Sequence, residues 1–368
     1  MKEIKRVVLS GGGTGGHIYP ALALLKEMQL KYPNLECLYI GSAKGLESTI
    51  VKNVGLPFES VEIQGLKRSL SIENIKAVWL MLTSTYKAKQ ILKAYQPDVV
   101  IGTGGYVCAP VLRAATQLGI PTLIHEQNSV AGITNKYLGR YVDIIATCFE
   151  EVTKDFAKVA HKVRLTGNPR GQEVVQTPVV ANYLEEQYGF CSDKPTVLVF
   201  GGSRGAPAIN QAALAAIPAF ANAAYQVIIA TGQAHYETLQ SELQDLPNNV
   251  KVVPYIENMP TLLRAIQLVV CRSGATTLTE LTALGLPSIL IPSPYVTANH
   301  QEHNALALVN RHAACMIRES ELDSAILVEK INELLLSPTI LAEMATSART
   351  LGITDASTRI IEAIETIV

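Results

Sequence analysis

Arg6–Val7–Val8–Leu9–Ser10–Gly11–Gly12–Gly13–Thr14–Gly15–Gly16–His17 joins a short apolar run to a glycine-rich loop. The apolar run reads as a buried strand. Ala21, Leu22, Leu24, Leu25 and Met28 follow at helical spacing, and Pro20 suits the first turn of a helix. The order is therefore strand, glycine loop, helix. Such a loop lets backbone approach an anionic ligand closely, and the helix N-terminus favours negative charge. Gly11, Gly13 and Gly16 also spell the dinucleotide pattern G-x-G-x-x-G. A dinucleotide fold, however, wants an acid at the tip of its second strand to hold a ribose. The second strand, Leu35 to Ile40, ends in Gly41–Ser42, and Glu36 lies at its wrong end. A tight turn without a ligand is the competing reading. A histidine directly after the glycines, with no packing reason to be there, speaks against it.

Working outward, the 368 residues suffice for two ordinary domains, and 48% of them are hydrophobic, so a sizeable core can be buried. Only 17% are charged and the net charge is −1, which excludes general nucleic-acid binding through an overall basic excess. Cys37, Cys108, Cys148, Cys191, Cys271 and Cys315 form no C-x-x-C pair, so neither a zinc site nor a disulfide framework is indicated. The first residues lead straight into a strand without a signal-peptide apolar region. No apolar run reaches the ~18 to 20 residues of a membrane span without glycine, proline or charge. These features predict a cytoplasmic protein.

Strand-like runs alternate with helical patterns throughout, which predicts α/β layers with parallel sheets. In the first half the runs lie near 6–10, 36–40, 58–63, 98–101, 121–125 and 143–147; in the second, near 196–200, 225–231, 250–253, 268–271 and 288–291. The halves echo each other. Thr196–Val197–Leu198–Val199–Phe200 runs into Gly201–Gly202–Ser203–Arg204–Gly205–Ala206, then into a helix with Pro207 in its first turn. Two domains of similar fold follow, 1–168 and 169–349, separated at the turn formers Thr166–Gly167–Asn168–Pro169–Arg170–Gly171.

Three pieces of the first half stand out. Leu66–Lys67–Arg68–Ser69–Leu70 leads to Val78–Trp79–Leu80–Met81–Leu82, mixing two cations with a dense apolar segment that holds the single tryptophan. It reads as a core helix or as a docking surface. Gly102–Thr103–Gly104–Gly105–Tyr106 and His125–Glu126–Gln127–Asn128 each follow a strand, where α/β sheets bind ligands. In the second half, Cys271–Arg272–Ser273–Gly274–Ala275–Thr276–Thr277–Leu278–Thr279–Glu280 joins a strand to a helix. Backbone N–H groups at Ser273 or Gly274 could meet phosphate, and Glu280 could accept two hydrogen bonds from a diol; a solvated helix position is the alternative for Glu280. His300 and His303 have a metal-ligand spacing but no third ligand, so no metal site is expected.

GGGTGGHIYPALAL, GTGGY, HEQNSVAGITNKYL, GNP, GGSRGA, CRSGATTLTE and NHQEHNA occur in this order. In this the chain resembles the bacterial undecaprenyldiphospho-muramoylpentapeptide β-N-acetylglucosaminyltransferases, the family that makes lipid II from lipid I in peptidoglycan synthesis. The resemblance spans nearly the whole chain. It implies the glycosyltransferase B fold, two Rossmann-like domains facing across a cleft, with a last helix (350–368) packing back on the first. Ile360, Ile361, Ile364 and Ile367 have the spacing such a helix needs. It further implies that the second domain holds UDP-N-acetylglucosamine and that the first receives the lipid I acceptor and docks on the membrane. Thr14, Gly15 and Gly16 would line the donor side of the cleft, and Asn128 would contact the sugar. Ser203 would meet the diphosphate and Ile256 the uracil. Gly274, Ala275, Thr276, Thr277, Leu278 and Thr279 would line the nucleotide, with Glu280 on the ribose hydroxyls and Gln301 on the sugar. Three departures stand out. Relatives often read GNPVR where this chain reads GNPR, which puts Arg170 one position out of register for the diphosphate. GGSRGA replaces GGSQGA, and His300–Gln301 replaces a glutamine pair.

The implied reaction is glycosyl transfer with inversion. The acceptor hydroxyl must lose a proton to a base within hydrogen-bond reach. His17 is the first choice on position and intrinsic pKa, and Glu126 the second. Charge on the leaving UDP could be met by backbone N–H groups, helix N-termini, and Arg272 or Arg170. No Asp-x-Asp occurs, so no cofactor is required, and a loosely held Mg²⁺ stays open. The expected partners are UDP-N-acetylglucosamine, lipid I, the membrane surface at its cytoplasmic face and cell-wall synthesis proteins, with no nucleic acid. A UDP-N-acetylglucosamine 2-epimerase shares the architecture, and a non-catalytic nucleotide-sugar sensor would share the binding site.

Overall fold

The structure, a computed structural model, describes residues 3–64, 72–202, 205–239 and 245–368. Lys67 and Arg68 of the basic segment, and Ser203 and Arg204 of the second glycine loop, lie outside the described residues. The chain divides into two compact units, Met1–Arg170 with Asp355–Val368, and Gly171–Thr354.

The first unit is built on a parallel sheet of seven strands: β1 (Arg6–Gly11), β2 (Glu36–Gly41), β3 (Phe58–Ser60), β4 (Val99–Gly104), β5 (Thr122–Glu126), β6 (Ile144–Thr147) and β7 (Val163–Leu165). Their order is β3-β2-β1-β4-β5-β6-β7. Both faces of a parallel sheet are covered, so its strands read as unbroken apolar runs. Alternation sorts the side chains: Val7 and Leu9 enter one core, Val8 the other. Helix α1 (Gly15–Lys31) covers the first face with Leu24, Leu25 and Met28. Helices α3 (Ile72–Tyr95) and α4 (Cys108–Gln117) cover the second, while α2 (Glu47–Asn53) follows β2 and α5 (Ile133–Leu138) follows β5. The returning helix Ala356–Glu365 buries Ile360, Ile361 and Ile364 in the core of the first face.

The second unit repeats the plan with six parallel strands: β8 (Thr196–Phe200), β9 (Gln226–Ala230), β10 (Val250–Val253), β11 (Leu268–Cys271), β12 (Ser288–Leu290) and β13 (Cys315–Met316), in the order β10-β9-β8-β11-β12-β13. In each sheet the order reverses beside the first strand, at β1/β4 and at β8/β11. Ligands of open α/β sheets bind beyond the strand ends at such a switch point. All the glycine-rich motifs read from the sequence follow these four strands.

The structure corrects several expectations. Helix α1 begins at Gly15, so Pro20 lies inside it and not in its first turn. His17 is consequently a helical residue, with its N–H donating to the Thr14 carbonyl at 3.1 Å. Strand β3 stops at Ser60, short of the expected 58–63, and the edge strands β7 and β13 were too short for periodicity to show. The segment that joins the first unit starts at Asp355 and not at 350, because helix Pro338–Leu351 buries Met344 in the second unit's core. Of the two readings left open for Trp79, core or surface, the structure selects the surface: it is 62% exposed, beside exposed Leu82 and Tyr86 on one face of α3, while Leu80, Ser84, Ala88 and Leu92 point inward.

Candidate functional site

In the first unit, the loops after β1 and β4 close on each other. The Gly12 N–H donates to the Gly104 carbonyl at 3.1 Å, and the Thr103 hydroxyl donates to the His17 carbonyl at 2.6 Å. Gly104 and Gly105 are obligatory here. Both have positive φ (113° and 85°), and a Cβ would stand 2.6 Å from His17 Nδ1 at Gly104 and 2.4 Å from the Gly12 carbonyl at Gly105. The imidazole of His17 thus packs against the GTGGY loop. Its Nδ1 lies 3.0 Å from Gln127 Oε1. Gln127 and His125 are both 1% exposed. Burial pushes the His125 pKa down to about 4, against the opposing pull of its hydrogen bond to the Gly167 carbonyl.

Glu126, the second candidate base, has another task. It is 2% exposed and accepts four hydrogen bonds, from Asn128 N–H (3.0 Å), Asn128 Nδ2 (3.3 Å), Gly132 N–H (2.9 Å) and Asn135 Nδ2 (2.9 Å). With both oxygens so occupied, this side chain shapes the loop. Asn128, expected at the sugar, is held by this carboxylate. Thr14 is an exposed N-cap residue without a side-chain capping bond, and Gly15 and Gly16 form the half-buried first turn of α1. Arg170 lies with its guanidinium 5.9 Å from the ring centre of Tyr19 on α1.

One residue that shapes the glycine loop escaped the sequence reading. Glu47, 1% exposed, accepts from Gly13 N–H at 3.1 Å and Ser42 N–H at 2.9 Å. The acid absent from the tip of β2 is supplied by the next helix, and it binds the glycine loop's own amide. Of the loop's backbone donors, the Gly13 amide is therefore already engaged by Glu47. The signal was the Gly45–Leu46–Glu47 turn that follows β2.

In the second unit, β11 leads through Arg272–Ser273–Gly274 into the helix Ala275–Leu284. Gly274 is its N-cap and offers no side chain to cap it. Such an N-terminus presents backbone donors and a positive dipole end to an anion. The turn is clamped from the helix His300–Val309: the buried Ser273 hydroxyl donates to the Gln301 carbonyl at 2.8 Å, and Asn304 Nδ2 donates to the Ser273 carbonyl at 3.2 Å. Gln301 Oε1 accepts from Ser293 N–H at 2.8 Å, which fixes its amide orientation and leaves Nε2 as the donor for a ligand. Glu280 is 6% exposed, so the solvated-position reading falls. Ile256 is buried in the loop after β10.

Four residues expected at the nucleotide, Arg272, Ala275, Leu278 and Thr279, are buried or paired within the protein. Arg272 forms an ion pair with Glu319, its side chain 12% exposed, and also donates to the Ile291 carbonyl at 3.1 Å. Leu278 is 1% exposed in the core, and Thr279 Oγ1 donates back to the Ala275 carbonyl at 2.9 Å. Ala275 is buried too, so Thr276 and Thr277 carry the half-buried side chains of this turn. His300 Nδ1 bonds the Thr297 carbonyl, and among the described residues no group of three or more His, Cys, Asp and Glu side chains is placed to hold a metal.

Comparison with known proteins accords with this two-unit plan. Residues 7–147 match the N-terminal domain of glycosyltransferase family 28, and residues 196–360 its C-terminal domain. The UDP-N-acetylglucosamine–N-acetylmuramyl-(pentapeptide) pyrophosphoryl-undecaprenol N-acetylglucosamine transferase of Listeria monocytogenes serovar 1/2a is 55% identical over 361 residues, 98% of each chain. The protein of the same name from Bacillus subtilis strain 168 is 49% identical, over 98% of this chain and 99% of its own. Among solved structures, MurG of Acinetobacter baumannii superposes with a TM-score of 0.75 at 29% identity, covering 98% of this chain and 99% of its own. The UDP-N-acetylglucosamine 2-epimerase of Neisseria meningitidis reaches 0.69 at 14% identity, over 99% of this chain and 100% of its own, which shows a shared fold alone. Identity of this order through both units leaves no room for a borrowed domain: the chain belongs to the UDP-N-acetylglucosamine–N-acetylmuramyl-(pentapeptide) pyrophosphoryl-undecaprenol N-acetylglucosamine transferases of glycosyltransferase family 28.

Proposed function

We propose that this chain transfers N-acetylglucosamine from UDP-N-acetylglucosamine to lipid I, forming lipid II, with inversion at the anomeric carbon. The observation that carries the reading is the full-length kinship with transferases of that name. In this reading the second unit holds the donor. The amides at Gly274–Thr277 meet the diphosphate, Glu280 takes the ribose hydroxyls, and Gln301 Nε2 reaches the sugar. The first unit brings the acceptor to His17. As the acceptor oxygen forms its bond to the anomeric carbon, its proton passes to the imidazole. The bond from that carbon to the diphosphate oxygen breaks, and UDP leaves with the electron pair. Donors fixed in advance at the helix N-terminus stabilise the charge that UDP gains. The reaction so described uses no cofactor.

The acceptor's lipid stays in the bilayer, so the enzyme works at a membrane surface. Among the described residues no helix is long and apolar enough to cross a membrane. The exposed face Trp79, Leu82 and Tyr86 of α3 supports peripheral docking on the cytoplasmic face, with Lys67 and Arg68 just before it in sequence. Aromatic side chains suit the membrane interface.

The test is donor turnover with and without a short-chain lipid I analogue. UDP release that requires the analogue, with the disaccharide lipid as product, is expected. N-acetylmannosamine formed from donor alone would make the protein an epimerase, and binding without turnover would make it a sensor.

A further inference from the structure

The residues behind His17 form a chain of hydrogen bonds whose direction is determined at every step. It starts at His125, buried and neutral, whose Nε2 lies 2.9 Å from the Gly167 carbonyl. A carbonyl oxygen only accepts, so Nε2 carries the ring proton and Nδ1 carries the lone pair. Gln127 Nε2 lies 2.8 Å from that Nδ1, 2.7 Å from the Thr103 carbonyl and 3.1 Å from the His125 carbonyl. All three partners are acceptors, so only the NH₂ end of the carboxamide fits there. Gln127 is therefore locked with Oε1 toward His17 Nδ1, 3.0 Å away. An amide oxygen has no proton to give, so Nδ1 of His17 carries one. The His17 ring is also held by its packing on Gly104.

We propose that Gln127 is a positioning residue that holds His17 as the Nδ1–H tautomer, making Nε2 the nitrogen that receives the acceptor's proton. This rests on the reading of His17 as the base. All three bonds run in one sense, from His17 through Gln127 and His125 to the Gly167 carbonyl, so each polarises the next. When Nε2 takes up the proton, the ring becomes an imidazolium and the Nδ1–H bond to Gln127 becomes charge-assisted. A neutral carboxamide does this without placing a negative charge beside the base. The His125–Glu126–Gln127–Asn128 run thus divides its work: His125 orients Gln127, Gln127 orients His17, and Glu126 holds the loop through Asn128.

The full chain, with its histidine ring nitrogens labelled for NMR and the His17 signals assigned by their loss in His17→Ala, tests this directly. The wild-type ring is expected to be protonated at Nδ1 and bare at Nε2 in its neutral form. The opposite tautomer in the wild type overturns the proposal whatever any variant does. Gln127→Met removes both ends of the carboxamide at similar length. It is expected to move the neutral ring toward the Nε2–H tautomer and to lower kcat about 10²-fold, the order expected for a misplaced reacting group. KM for UDP-N-acetylglucosamine should stay within about twofold, since a base serves the chemical step and not donor binding. An unchanged tautomer and kcat in this variant also overturn it. Should His17→Ala keep full turnover while the wild-type ring is Nδ1–H, the base reading falls, and the positioning role with it, although the hydrogen-bond chain stands.

Discussion

At the scale of the residue, burial turns ordinary side chains into committed ones. His125 is neutral in the fold, with its pKa pushed from 6.5 to about 4. The unfolded chain takes up a proton near the ordinary value, whereas the folded chain does so only near 4. Between these pH values the unfolded state binds more protons, so stability falls as pH falls through that window. This one group contributes at most about 3 kcal/mol to the loss. Urea unfolding of His125→Gln should show a flatter dependence between pH 6.5 and 4 than the wild type. Equal slopes would mean that His125 is charged or exposed. Glu280 makes a different commitment, a buried carboxylate next to a donor-rich turn. Glu280→Ala should weaken UDP binding by roughly 1 to 3 kcal/mol, the range for a hydrogen bond to a charged group. Calorimetry giving unchanged UDP affinity would remove the ribose assignment.

At the scale of the element, α3 has two faces with opposite requirements. Leu80, Ala88 and Leu92 bury against the sheet, while Trp79, Leu82 and Tyr86, at one-turn spacing, stay exposed. Exposed positions of this kind contribute little to folding stability. Trp79→Ser with Leu82→Ser should therefore reduce binding to anionic vesicles and activity on long-chain acceptor, with Tm and UDP affinity nearly unchanged. Lys67→Glu with Arg68→Glu should act in the same direction, since each cation near an anionic surface contributes about 1 kcal/mol. Vesicle binding indifferent to both pairs would place the docking surface elsewhere. Helix α1 shows a second kind of element-level constraint. Because it starts at Gly15, its first turn holds His17 on a rigid frame and not on a loop, which suits the base proposed above, since proton transfer needs hydrogen-bond distance.

At the scale of the whole molecule, the chain crosses out of its first unit at residue 170 and returns to it at 355. The return is fastened by Ile360, Ile361 and Ile364 in the first core and by the Glu365 carboxylate on α1, hydrogen-bonded by Lys31 and Tyr32, which lower its pKa. Ile364, fully buried, should cost about 2 to 5 kcal/mol when cut to alanine. Since that core belongs to the first unit, UDP affinity in calorimetry should stay as it was while the urea midpoint falls. A parallel loss of UDP affinity would show the two units to be coupled more tightly than their separate cores suggest.

The sequence by itself determined the fold class, the twofold echo of strand, glycine loop and helix, and the motifs around the site. These rest on local signals: apolar runs of strand length, glycines, and the helical spacing of Ile360, Ile361 and Ile364. It could not assign partners across the chain, because a side chain's role depends on which atoms reach it. Arg272 reads as a cation for a diphosphate until Glu319 claims it, and Glu126 as a base until four donors fill it. Glu47 is one acid among many until its carboxylate is seen on Gly13 N–H. Trp79 fits a core or a surface equally well by composition, and only the packing of α3 decides. The tautomer of His17 lies furthest from the sequence. It follows from three hydrogen bonds linking residues 17, 127, 125 and 167, which only the parallel sheet and the loops at its carboxyl end bring together.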